Sequence, residues 1–196
     1  MGSYYYLTAQ LPFLIYEQKP PMSSSSFKAL AGSLMLEEDA VFLDVILLDT
    51  KPRGGSDGSY AEPAPLSGCD FIDNWREWER VLRLNLAKHR AIKIKRDVSA
   101  FEPPCYPADA ASVAVKAVNG ELSPLETEIF IDKARWNAID ALAGNNYFDR
   151  NIIFAYFLKL LLLERRQLFN VERGFAEYKS LYADIIESAQ NAGEHK

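Results

Sequence analysis

Eleven of the twelve residues from Ile152 to Leu163 are apolar, Lys159 being the exception. A helix that is apolar nearly all round has no face to offer water, so it must either cross a bilayer or be enclosed by other elements. Spanning takes roughly 20 apolar residues, and this run is closed by Asp149 and Arg150 on one side and by Glu164, Arg165 and Arg166 on the other. It suits a central core helix, and the rest of the chain has to supply the amphipathic elements that cover it.

Those elements are readable from periodicity. Phe71, Trp75, Trp78, Leu82 and Leu86 recur at helical spacing behind Asp70, which can cap them. In the same helix Glu79 and Arg83, four residues apart, read as a surface ion pair. Ser123-Pro124-Leu125-Glu126 combines a capping-box serine, proline at the first helical position and glutamate at the third. The helix it starts carries Leu125, Ile129, Trp136, Ile139 and Leu142 to a stop at Gly144, after which Asp149 caps the core helix. Ser23 to Ser26 precede a helical face of Phe27, Leu30, Ala31 and Leu34, and an alanine-rich helix ends at Asn119 and Gly120.

Three stretches are less regular. Tyr4 to Leu11 is rich in strand formers without clean alternation, so it reads as a short N-terminal strand or an extended segment. Ala40 to Leu48, behind the acidic Glu37, Glu38 and Asp39, reads as a helix, although Val41, Val45 and Ile46 would also suit a buried strand. Residues 50–68, broken by four glycines and three prolines, read as a mobile loop. A last amphipathic segment around Phe175, Tyr178, Leu181, Tyr182, Ile185 and Ile186 is expected to pack one face. The expectation is an all-α or nearly all-α bundle of about six helices, folded as one domain over residues 1–196.

Composition excludes several kinds of chemistry. Two histidines, His89 and His195, and two distant cysteines, Cys69 and Cys105, do not make a metal set, a redox pair or a histidine-based triad. Gly54-Gly55-Ser56-Asp57-Gly58 lacks the Gly-Lys-Ser/Thr of a phosphate loop. We therefore expect no catalytic residues, no cofactor and no metal. A net charge of −5 argues against nucleic acid as a partner. No secretory signal or lipidation motif is visible, so a cytoplasmic protein without direct membrane insertion is expected.

One cluster stands out against the acidic whole. Lys88, Arg90, Lys93, Lys95 and Arg96 place five cations within nine residues at the end of a long helix. They complement the negative pole of the helix dipole, and they are also the candidate partner-binding site, with an acidic protein surface as the partner. The Trp75–Trp78 pair and the aromatics from Tyr147 to Phe157 are mostly core at this spacing, with one or two exposed anchors allowed. Two competing readings are a small helical enzyme or ligand-binding protein with an aromatic pocket near Trp136 and Tyr147 using Glu126 or Arg135, and an RNA adaptor using residues 88–96.

Certain motifs carry a resemblance. Tyr4-Tyr5-Tyr6-Leu7-Thr8-Ala9-Gln10-Leu11-Pro12, Lys19-Pro20-Pro21-Met22, Pro124-Leu125-Glu126-Thr127-Glu128, Arg135-Trp136, Tyr147-Phe148-Asp149 and Ala155-Tyr156-Phe157-Leu158-Lys159-Leu160 resemble an uncharacterised family encoded among bacterial V-type ATPase subunits. That family is distantly similar to the C-subunit family of V-type and A-type ATPases, the helical adaptors that seat the rotor shaft on the membrane ring. The tyrosine-rich opening and Tyr156, Lys159, Glu164 and Asn170 carry the second likeness. Ala9-Gln10-Leu11 departs from the Ala-Arg-Val usual there, and 196 residues are too few for the three helical units of those adaptors. The resemblance implies a non-catalytic component of an ion-transporting ATPase, with the central shaft, the membrane ring or both as partners.

Overall fold

A computed structural model describes residues 3–48, 65–99, 103–104 and 106–167, together with Lys179, Leu181, Tyr182 and Ile185. The described residues are all-α. Eight helical segments follow in order: α1 Tyr5–Gln10, α2 Ser24–Leu34, α3 Glu37–Ala40, α4 Phe42–Val45, α5 Asp70–Lys93, α6 Ala108–Asn119, α7 Pro124–Ala143 and α8 Arg150–Gln167. Of the expected C-terminal amphipathic segment, Phe175, Tyr178 and Ile186 lie outside the described residues, and Leu181, Tyr182 and Ile185 are exposed.

The apolar run forms α8, which Asp149 caps by accepting the Asn151 and Ile152 amides at 3.0 and 3.2 Å. Ile153, Phe154, Phe157, Leu158, Leu160, Leu162 and Leu163 are buried. Lys159 escapes to the margin, where its ammonium lies 4.6 Å from the Trp136 ring centroid and pairs with Asp140. The contacts Asp140–Lys159 and Glu128–Arg165 set α7 antiparallel to α8. On another side of α8, Phe27 of α2 stacks on Tyr156 and Phe157 at 5.3 and 5.5 Å. Phe42 and Phe71 meet Phe154 at 6.0 and 6.2 Å and bring α4 and α5 onto it. α6 runs beside α5 in the same direction, with Trp78 donating to Asp109 near one end and Lys93 to the Val118 carbonyl near the other.

The caps of α2 and α7 follow the sequence reading. Ser23 accepts the Ser26 amide at 3.1 Å, and Ser123 and Glu126 close a reciprocal capping box behind Pro124. Gly144 ends α7 at φ +73°, a conformation that glycine reaches without penalty.

Four local expectations are corrected. The tyrosine-rich opening is the helix α1, not a strand or extended segment. No strand lies beside it among the described residues, so its amides close on themselves while Tyr4 donates its N–H to the Phe148 carbonyl at 2.7 Å. The 40–48 helix is two single turns. The Val45 and Leu47 carbonyls turn away to accept from Arg76 and Trp75 of α5, which a continuing helix would prevent. Asp70 is the first residue of α5 rather than its cap. Its neighbour Asp73 reaches back to the Ser67 amide at 2.8 Å. Glu79 is no surface residue either, for it is completely buried. Of the expected mobile loop, residues 50–64 lie outside the described residues, and 65–68 are irregular.

Candidate interaction surface

The five cations gather at the C-terminal end of α5. Lys88 is half-buried on the last turns, while Arg90, Lys93, Lys95 and Arg96 are exposed. The backbone turns off the helix in a defined way: Arg96 donates its amide to the Ala91 carbonyl at 2.9 Å and Lys95 to Ile92 at 3.0 Å. This is the paired bonding of a Schellman motif, and Lys95 occupies its left-handed position at φ +55°. Glycine is usual there because any Cβ costs roughly 1–2 kcal/mol in that conformation. Lys93 donates to the Val118 carbonyl, so the carbonyl ends of α5 and α6 lie together under the cations. No salt bridge engages Lys88, Arg90, Lys93, Lys95 or Arg96 among the described residues. His89 is half-buried on the same turn.

An aromatic group occupies the other end of α7 and α8. Tyr5, Tyr6, Tyr147 and Phe148 are exposed, and the Tyr5 and Phe148 rings lie 4.1 Å apart. With 20 residues in α7, the two ends are roughly 30 Å apart at 1.5 Å per residue. Trp75 and Trp78, by contrast, are core residues stacked at 5.8 Å.

Between the ends runs a buried ionic chain absent from the sequence expectation. Arg135 of α7 donates to Glu79 of α5 at 2.6 and 3.3 Å and to Asp132 at 2.8 Å. Arg83 joins Glu79 at 3.2 Å, and Arg165 of α8 approaches Asp132 at 3.6 Å and Glu128 at 3.1 Å. Burial would lower the Arg135 pKa, but Glu79 and Asp132 raise it overall. A third buried carboxylate, Asp39, accepts from Arg150 at 3.0 Å and from the Tyr4 hydroxyl. Burial and that bond push the Tyr4 pKa up to about 12. Tyr156 is likewise pushed up to about 12 by burial, its hydroxyl donating to the Pro12 carbonyl at 2.9 Å.

These contacts reassign the polar groups of the pocket reading. Arg135 is engaged by Glu79 and Asp132, and exposed Glu126 by its capping box. Among the described residues no cluster of histidine, cysteine and carboxylate side chains could hold a metal ion, and no helix is long and apolar enough to cross a membrane. Cys69 is a buried free thiol, while Cys105, His195 and the glycines 54–58 lie outside the described residues.

A family model described as "Protein of unknown function (DUF2764)" matches residues 114–188, from within α6 through α8 and beyond. That description names no activity. No curated protein and no solved structure matches the chain.

Proposed function

We propose that the chain is a non-catalytic cytoplasmic subunit or accessory factor of a bacterial V-type ATPase, an adaptor of the C-subunit kind between the soluble and membrane sectors. The observation that carries this reading is that the sequence blocks behind the resemblance meet in space. Tyr4 and Tyr5 contact Phe148, the Pro12 carbonyl accepts from Tyr156, and Trp136 covers Lys159. The contacts of Tyr4 and Tyr5 with Phe148 and of Pro12 with Tyr156 join residues more than a hundred positions apart, as expected if the blocks belong to a single architecture. The placement of aromatics at one end and cations at the other supports an adaptor, since such a molecule must hold two partners apart with unlike surfaces.

Gentle purification of the native ATPase from the host, followed by mass spectrometry of its subunits, tests the proposal. The chain is expected in near-stoichiometric amount if it is a subunit, or in assembly intermediates if it is an accessory factor. Its absence from both would refute the reading.

A further inference from the structure

The cationic end of α5 is not a purely charged surface. Ile92 and Ile94 are 52 % and 62 % exposed in its midst, and Leu122, beyond the end of α6, is 44 % exposed. Aliphatic side chains bared at a helix end leave water only if something covers them. Arg90, Lys93, Lys95 and Arg96 surround them in sequence, and the left-handed turn at Lys95 fixes how the chain carries Lys95 and Arg96 off the helix.

We propose that this end of α5 is a docking surface for an acidic protein segment with an apolar seam, the isoleucines entering the seam and the four cations meeting its carboxylates. Two uniform anionic partners fit less well. Asp97 adjoins the patch in sequence and Glu121 stands three residues beyond Val118, the carbonyl partner of Lys93, both exposed, so a bilayer or a phosphate backbone, anionic over its whole extent, would press against these carboxylates. A protein partner can place its acids only where the cations are. The Trp and Tyr side chains typical of a membrane-interface anchor are also missing from residues 88–96. The adaptor reading enters only in naming the partner as a component of the ATPase.

The test puts a photoreactive benzoylphenylalanine in place of Ile94 in the full chain, expressed in host cells, with and without Lys93→Glu and Arg96→Glu. Circular dichroism of each purified variant checks the fold. After illumination, the docking surface predicts a dominant adduct with one protein, mapped by mass spectrometry to a segment where Asp or Glu residues border apolar ones. Its yield should fall about tenfold on charge reversal, as expected when like charges replace a complementary set. If that protein belongs to the ATPase, the adaptor reading stands with it. A different protein meeting the same criteria keeps the docking surface and removes the adaptor reading. A lipid or RNA adduct, a protein adduct indifferent to the reversal, or no adduct at all would overturn the proposal.

Discussion

Burying Glu79 beside Arg135 removes both from water, and what makes the pair tolerable is that each satisfies the other. Taking away Arg135 strands both Glu79 and buried Asp132, so Arg135→Met should cost about 3–5 kcal/mol, and adding Glu79→Leu should recover the part owed to Glu79. Urea denaturation of the two variants checks this, and a double variant at least as unstable as the single one would contradict it. The pair had a signal in the sequence. Glu79 falls in the stripe of Trp75, Leu82 and Leu86, and Arg135 lies four residues from both Ile131 and Ile139. Opposite charges in the middle of two apolar faces are expected to find each other, but helical spacing also permitted Glu79–Arg83, and a local pair is easier to see than one across 56 positions. Tyr4 and Tyr156 act on alkaline stability. Their folded pKa values of about 12 lie above the ordinary tyrosine value of 10.0, so their contribution is present below pH 10 and is lost as pH rises to 12. Tyr4→Phe and Tyr156→Phe should each flatten the fall of the melting temperature over that window. An unchanged slope in both would contradict the assigned burial.

Among the helices, the core helix and its caps were legible because their causes are local. Asp149, the Ser123–Glu126 box and the Ser23 cap satisfy amides within three residues of themselves, and an apolar run of this length has few fates. α4 was less legible because its end depends on Arg76 and Trp75, side chains some 30 positions away that draw carbonyls out of the helix. The stripe read on α7 was off by a fraction of a turn for a related reason. Leu125 is exposed, while Ile131 and Ala138 face the core, because α5 and α8 both press on this helix and widen its buried face beyond one line. For α8, Leu160→Ala at a fully buried site should cost about 2–5 kcal/mol, and Leu161→Ala, half-buried, clearly less. Equal losses in chemical denaturation would contradict the orientation of α8. At the end of α5, Lys95→Gly relieves a left-handed lysine and should raise stability by about 1 kcal/mol. A destabilised variant would contradict the left-handed turn.

Across the molecule, the sequence carried charge distribution but not distance. That five cations stand within nine residues is visible in the chain. That Ile92 and Ile94 are bared among them, and that the exposed aromatics gather at the far end of α7, depends on α6 returning beside α5 and on α1 lying against Phe148. Tyr147 and Phe148 carried no mark separating them from Phe154 and Phe157, which share the aromatic cluster and are buried. Whether the chain joins a V-type ATPase through its cationic end is decided by binding the purified protein to ATPase depleted of this chain. Wild type and the Lys93→Glu, Arg96→Glu variant would be compared across a salt series, with circular dichroism confirming the fold. The wild type is expected to bind and the variant to bind more weakly, with the gap widest at low salt and shrinking as the screening length falls from about 30 Å at 0.01 M to about 8 Å at 0.15 M. Equal affinity of the two proteins at every salt concentration would contradict docking through this end.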